Sequence, residues 1–237
     1  MAAGVSPVVH LLCAGAAKGV VEALRDDFAA EAGAAIDATF GAVGAIRERL
    51  DAGAPCDVIV LTAAMIDALA VAGRVRAATA APLGRVRTGV AVRDSDPRPD
   101  IGDATALRMA FAQARAIYIP DPERSTAGRH FVDVARRLGI EDIVRGRWRA
   151  YPNGATAMRA LADADEAGLV GCTQVTEIRY TRGVTLAGVL PSEFELATLY
   201  AAAPLEGARE ATAARTLVEW LTGPRSLALR IAGGFEA

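Results

Sequence analysis

The segment that most constrains the fold is the run from Cys56 to Leu61 in "DAGAPCDVIVLTAAMIDAL" (Asp51 to Leu69). A turn at Gly53, Ala54 and Pro55 leads into it, and helix-forming residues resume directly after Thr62. A short apolar run bounded in this way reads as a strand covered on both faces, which is the habit of parallel sheets flanked by helices. The strand ends on a hydroxyl, Thr62, at the mouth of a helix. In open parallel sheets that is where ligands sit.

The first half repeats the alternation. "VVHLLC" (Val8 to Cys13) reads as a strand and is followed by "AGAAKG" and a helix. In that helix Val20, Val21, Leu24 and Phe28 share one face, and Gly33 closes it. "AAIDATF" (Ala34 to Phe40) is a second strand, ending in the loop "GAVG", and a short helix spans Ala45 to Ala52. Strands separated by helices of this length imply right-handed crossovers. The rhythm breaks after the strand "VRTGVAV" (Val86 to Val92), in the charged and proline-rich "RDSDPRPDIGD". It then restarts with a helix from Ala104 to Ala114, the strand "AIYI", the loop "PDPERSTAG", a helix capped by Asn153, "GLVGCTQVTEI" and "VTLAGVLP". Two tail helices, Ala208 to Leu221 and Pro224 to Ala232, are expected to pack back on the first half. The expectation is an α/β fold of two lobes: residues 1–88 plus 192–237, and residues 89–191. Two crossings between lobes make a hinge with a cleft.

Composition narrows the function. Of the 237 residues 52% are hydrophobic but only 5% aromatic, which suits helices packed closely on a sheet. Lys plus Arg (26) nearly balances Asp plus Glu (28), a net charge of -2, which argues against nucleic acid as a partner. The basic cluster "RGRWR" (Arg145 to Arg149) reads as a solvated edge. No apolar run is long enough to cross a bilayer, so no membrane insertion is expected. "MAAGVSPVVHLLC" lacks the charged start of a leader, which predicts a cytoplasmic protein, or a periplasmic one whose leader has been replaced. Cys13, Cys56 and Cys172 match no metal or redox spacing and read as small buried hydrophobes. With two histidines and no ligand cluster, neither metal nor cofactor is expected.

The loops after the strands carry the candidate binding groups. "AGAAKG" holds Lys18, "GAVG" the amides of Val43 and Gly44, and "LTAA" holds Thr62. "PDPERSTAG" brings Ser125, Thr126 and Ala127, and "CTQVTE" brings Gln174 and Glu177. Helix N-termini present unpaired N–H groups and a partial positive charge, so several converging on one cleft form an anion cradle. A lysine in a first helical turn opposes the dipole, at a cost of about 0.3–1 kcal/mol, which points to another task. Thr62, Ser125 and Thr126 also read as simple helix caps, Lys18 as a solvated surface residue and Glu177 as an ordinary first-turn acid.

"LLCAGAAKGVVEAL", "DAGAPCDVIVLTAAMIDAL" and "PDPERSTAGRHFVDVARRLGI" together resemble the type II periplasmic binding proteins of the molybdate-binding family, with "GAP-x-D-V" the most specific segment. The resemblance covers nearly the whole chain. It implies a two-lobed Venus-flytrap fold, an oxyanion or carboxylate in the cleft and an ABC transporter as partner. The chain departs from the molybdate pattern in its donors. Where that pattern places a serine in each of the first two loops, this chain has Ala16 or Ala17 and Val43, and where it places a tyrosine the chain has Gln174. Fewer hydroxyls, an added lysine and an amide suit a small organic anion with carboxylates better than molybdate.

The family also contains an aconitate isomerase, so the alternative is a cofactor-free isomerase of an unsaturated polycarboxylate in the same cleft. Lys18 would then serve as clamp or base, and Glu177 as a base if burial raises its pKa. A free-standing ligand sensor is a third reading, disfavoured because no helix-turn-helix precedes the first strand.

Overall fold

A computed structural model describes residues 7–236. Residues 1–6 and 237 lie outside it, and with them the part of the lobe assignment and of the leader reading that falls there. The strands are β1 (Val8–Ala14), β2 (Ala35–Gly41), β3 (Val58–Thr62), β4 (Ala81–Arg93), β5 (Ala116–Pro120), β6 (Trp148–Tyr151), β7 (Leu169–Gln174), β8 (Val184–Val189) and β9 (Ala197–Pro204). The helices are α1 (Lys18–Ala32), α2 (Val43–Asp51), α3 (Ala63–Val71), α4 (Ala104–Gln113), α5 (Thr126–Arg137), α6 (Glu141–Val144), α7 (Gly154–Ala162), α8 (Val175–Tyr180), α9 (Ala211–Thr222) and α10 (Leu227–Gly233).

The chain divides into two compact units. The first comprises residues up to Phe40, Ala45–Arg85 and Leu199 onward; the second comprises Gly41–Gly44 and Val86–Thr198. The long change-overs fall at 85/86 and 198/199, inside β4 and β9. No loop marks them in the sequence, because each strand runs on without a break.

The first unit carries strands in the order β2-β1-β3-β9. β1 and β3 are parallel with Leu12 opposite Ile59, and β9 returns antiparallel with Ala202 opposite Val60. Val58 to Leu61 are fully buried, as a strand covered on both faces requires. α1 lays Val20, Val21, Leu24 and Phe28 inward and ends at Gly33, whose φ of 66° places it in the left-handed region that favours glycine. The tail helices pack on α1, where Trp220 meets Phe28 edge-on at 5.3 Å. The strand β9 escapes the sequence reading because "ATLYAAAP" has neither a turn signal nor a clear alternation.

The acid of the "GAP-x-D-V" segment ties this unit together. Asp57 is 2% exposed and accepts the His10 N–H at 2.9 Å and the Arg209 N–H at 2.7 Å. Its own amide donates to His10 O, and its carbonyl accepts from Leu205 N. One buried carboxylate therefore joins β1, the start of β3 and the approach to α9.

The second unit has the order β8-β4-β7-β5-β6. β5 is parallel to both β6 and β7, whereas β4 is antiparallel to β7 and β8. One face carries Leu107, Phe111, Phe131, Val134 and Ile140, and a second apolar cluster gathers Met158, Leu161, Leu169 and Ile178. Trp148 and Arg149 of the basic cluster form the start of edge strand β6, where polar side chains blunt the free edge.

Candidate functional site

In the first unit, β1 ends in a 3₁₀ turn, Gly15–Ala17, that runs straight into α1. Ala16 and Ala17 are buried, and no side chain caps α1 nor does an acid stand in its first turn. Lys18 opens the helix, and its ammonium lies over the Phe40 ring, 5.5 Å from the centroid. A cation held on an aromatic face is oriented instead of roaming in solvent. The sequence does not single out Phe40, since an aromatic at a strand end reads as core. Thr62 caps α3 and accepts the Met65 N–H at 3.4 Å. A hydroxyl has one proton and two lone pairs, so this cap leaves the O–H able to donate.

In the second unit, Ser125 is the buried cap of α5 and accepts the Gly128 N–H at 3.3 Å. Asp121 O receives the Ser125 amide at 2.8 Å, and the Arg129 amide makes the first intrahelical bond, to Ser125 O. Thr126 and Ala127 follow the cap as the first two helical residues, where helix geometry gives the N–H groups no intrahelical acceptor. Val43 starts α2. The Gly44 amide, expected to serve an anion, instead donates to Arg124 O at 3.0 Å. A Cβ on Gly44 would lie 2.8 Å from that carbonyl, so only glycine fits the approach.

Gln174 ends β7 and is 3% exposed; its Nε2 donates to Thr198 Oγ1 at 3.4 Å. Glu177 lies deeper than a first-turn acid should. Its Oε2 accepts the Thr173 hydroxyl at 2.5 Å and its Oε1 the Ala155 amide at 3.3 Å. Ala155 is in the first turn of α7, so Glu177 neutralises a helix N-terminus other than that of its own helix. Burial pushes its pKa up, while bonds from Thr173 and from the Ala155, Gln174 and Gly154 amides pull it down; the net shift is upward. Gly154 makes the seat possible, because a Cβ there would stand 2.0 Å from both Glu177 Oε2 and Thr173 Oγ1. Asn153 caps the same helix through Thr156 N at 2.9 Å.

Other sequence candidates take structural places. His130 Nε2 bonds Phe194 O at 2.7 Å. Cys13 and Cys172 are buried thiols raised by desolvation, and Cys56 is pushed up to about 12 by the same cause, so none is a ready nucleophile.

Residues 9–236 match the family model described as bacterial extracellular solute-binding protein. The chain belongs to this family. A solved structure of the periplasmic molybdate-binding protein of Azotobacter vinelandii superposes with a TM-score of 0.78 at 20% identity, over 97% of this chain and 99% of that one. The sulfate-binding protein SubI from Mycobacterium tuberculosis H37Rv gives 0.72 at 18% identity, over 97% and 86%. The resemblance seen in the sequence is thereby met, and the fold is the two-lobed type II periplasmic-binding-protein fold. An aconitate isomerase from a Pseudomonas species is 27% identical over 178 residues, 75% of this chain. The matched region spans 66% of that relative's length. Among the described residues no helix is long and apolar enough to cross a membrane.

Proposed function

We propose that this solute-binding protein captures a small organic anion bearing one or more carboxylates. The observation that carries the reading is the start of α1. There the chain has buried Ala16 and Ala17, no hydroxyl, and a lysine whose ammonium is held over Phe40. An ammonium pairs with a carboxylate at charge-assisted strength, whereas the missing serines remove the donors that suit a tetrahedral oxyanion. In the first unit Thr62 is the further candidate donor beside Lys18, and in the second the candidates are the Thr126 and Ala127 amides, the Ser125 cap and Gln174. Val43 contributes backbone only, and Gly44 shapes the loop. The proposed partner in use is the membrane component of an ABC transporter, outside the cytoplasm.

The aconitate isomerase relative supports a second reading, proton exchange on an unsaturated polycarboxylate. Glu177 is poorly placed for it, since both its oxygens are engaged inside the second unit. Lys18 is then the group to test as the base.

Thermal unfolding in millimolar citrate, malate, succinate, trans-aconitate, sulfate, molybdate or tungstate tests the ligand class. A specific ligand at 100 times its Kd adds about 2.7 kcal/mol. Protection is expected from carboxylates and lost in Lys18→Ala. Protection by molybdate and tungstate alone would overturn the reading. A steady change in the ultraviolet spectrum of trans-aconitate, abolished in Lys18→Ala, would identify the isomerase.

A further inference from the structure

Three buried side-chain oxygens of the second unit find no partner among the described residues, and two of them, Gln174 Oε1 and Thr88 Oγ1, belong to paired strands. Thr88 is 1% exposed and Gln174 3%. They stand opposite each other in the antiparallel pairing of β4 with β7, so their side chains leave the same face of the sheet. Thr198 of β9 holds the other end of the Gln174 amide, with Nε2 donating to Thr198 Oγ1 at 3.4 Å. The Thr88 backbone is satisfied, its amide by Leu196 O at 3.1 Å and its carbonyl by Leu190 N at 3.3 Å. Only the side-chain atoms are left over. The third, Thr176 Oγ1, lies on α8.

Buried polar atoms normally have partners, and leaving one unmet costs the full desolvation of that group. An amide oxygen can only accept. A threonine hydroxyl can both accept and donate. One group satisfies the two together: a hydroxyl that donates to Gln174 Oε1 and accepts from Thr88. Sulfate, molybdate and a fully ionised carboxylate carry no hydrogen and leave Gln174 Oε1 unmet.

We infer that the ligand of this protein carries a hydrogen-bond donor beside its negative charge, and that Thr88 and Gln174 select for that donor. The inference rests on the proposed anion capture and narrows it to hydroxycarboxylates, the other source of the same chemistry being a partly protonated oxyanion such as hydrogen phosphate. Thr88 becomes a specificity residue, and Gln174 is the acceptor it works beside.

Isothermal titration calorimetry at neutral pH on matched pairs reads this directly: citrate against tricarballylate, malate against succinate, phosphate against sulfate. In every pair that binds, the donor-bearing member is expected to bind at least about tenfold more tightly, as sites built around a substrate hydroxyl do. Thr88→Val and Gln174→Met should each bring that ratio to within about twofold. If Gln174→Met does not fold, the wild-type pairs and Thr88→Val still decide. Equal affinities within a pair mean that water fills the space and overturn the inference. A preference for sulfate over phosphate turns Nε2 toward the ligand and overturns it as well. Phosphate bound in preference to sulfate, with every carboxylate silent, upholds the donor and overturns the carboxylate reading. No binding by any anion overturns the proposed function and this inference with it.

Discussion

Asp57→Ala is expected to lose about 3–4 kcal/mol of stability, seen as a lower urea midpoint with an unchanged slope. The carboxylate meets the amides of His10, Arg209 and Glu210, at 2.9, 2.7 and 3.4 Å. Alanine leaves these donors without their acceptor, and each buried one carries a penalty of about 1–3 kcal/mol, less than additive because water enters the gap. Asp57→Asn keeps one acceptor oxygen and should lose about half as much. A loss below about 1 kcal/mol for Asp57→Ala would show that the carboxylate does not hold β1, β3 and α9 together.

Gly154→Ala should be nearly as severe, about 2–4 kcal/mol, although in an exposed helix interior the same change stabilises. The new methyl would stand 2.0 Å from both Glu177 Oε2 and Thr173 Oγ1, which forces the carboxylate from its seat. The pH dependence identifies the cause. In the native protein burial raises the Glu177 pKa above its unfolded value, so its contribution is greatest in acid and declines as pH rises through the unfolded value. In the variant the displaced carboxylate titrates near its unfolded value and gives no such slope. The stability difference between the two proteins should therefore be largest below pH about 4.5 and shrink as pH rises, by at most about 1.4 kcal/mol per pH unit. Chemical denaturation across pH 4 to 8 checks this; a constant difference would mean that Glu177 keeps its raised pKa in the variant.

Local rules made much of this fold readable from the chain. The apolar stretch Val58 to Leu61, the face of α1, the stop at Gly33 and the helix start at Asn153 each depend on neighbours within a few residues. Where an element depends on distant pairing, the sequence is mute. β9 has an alanine-rich pattern that only its antiparallel partner β3 turns into a strand. β4 begins at Ala81, five residues before the apolar alternation shows it.

The same divide runs through the candidate site. Thr62 and Ser125 sit at helix starts as their residue types dictate. Asp57 looks like a turn acid until His10 and Arg209, 47 and 152 residues away, converge on it. Glu177 looks like an ordinary first-turn acid because nothing near it in sequence reveals that its oxygens cap α7. Thr88 is an unremarkable strand residue until burial removes its hydroxyl from water.

Crystals grown with the carboxylate that gives the greatest thermal protection would test the central claim most directly. The account predicts an anion with a carboxylate on the Lys18 ammonium. An anion lodged elsewhere, with Lys18 left in solvent, would contradict it.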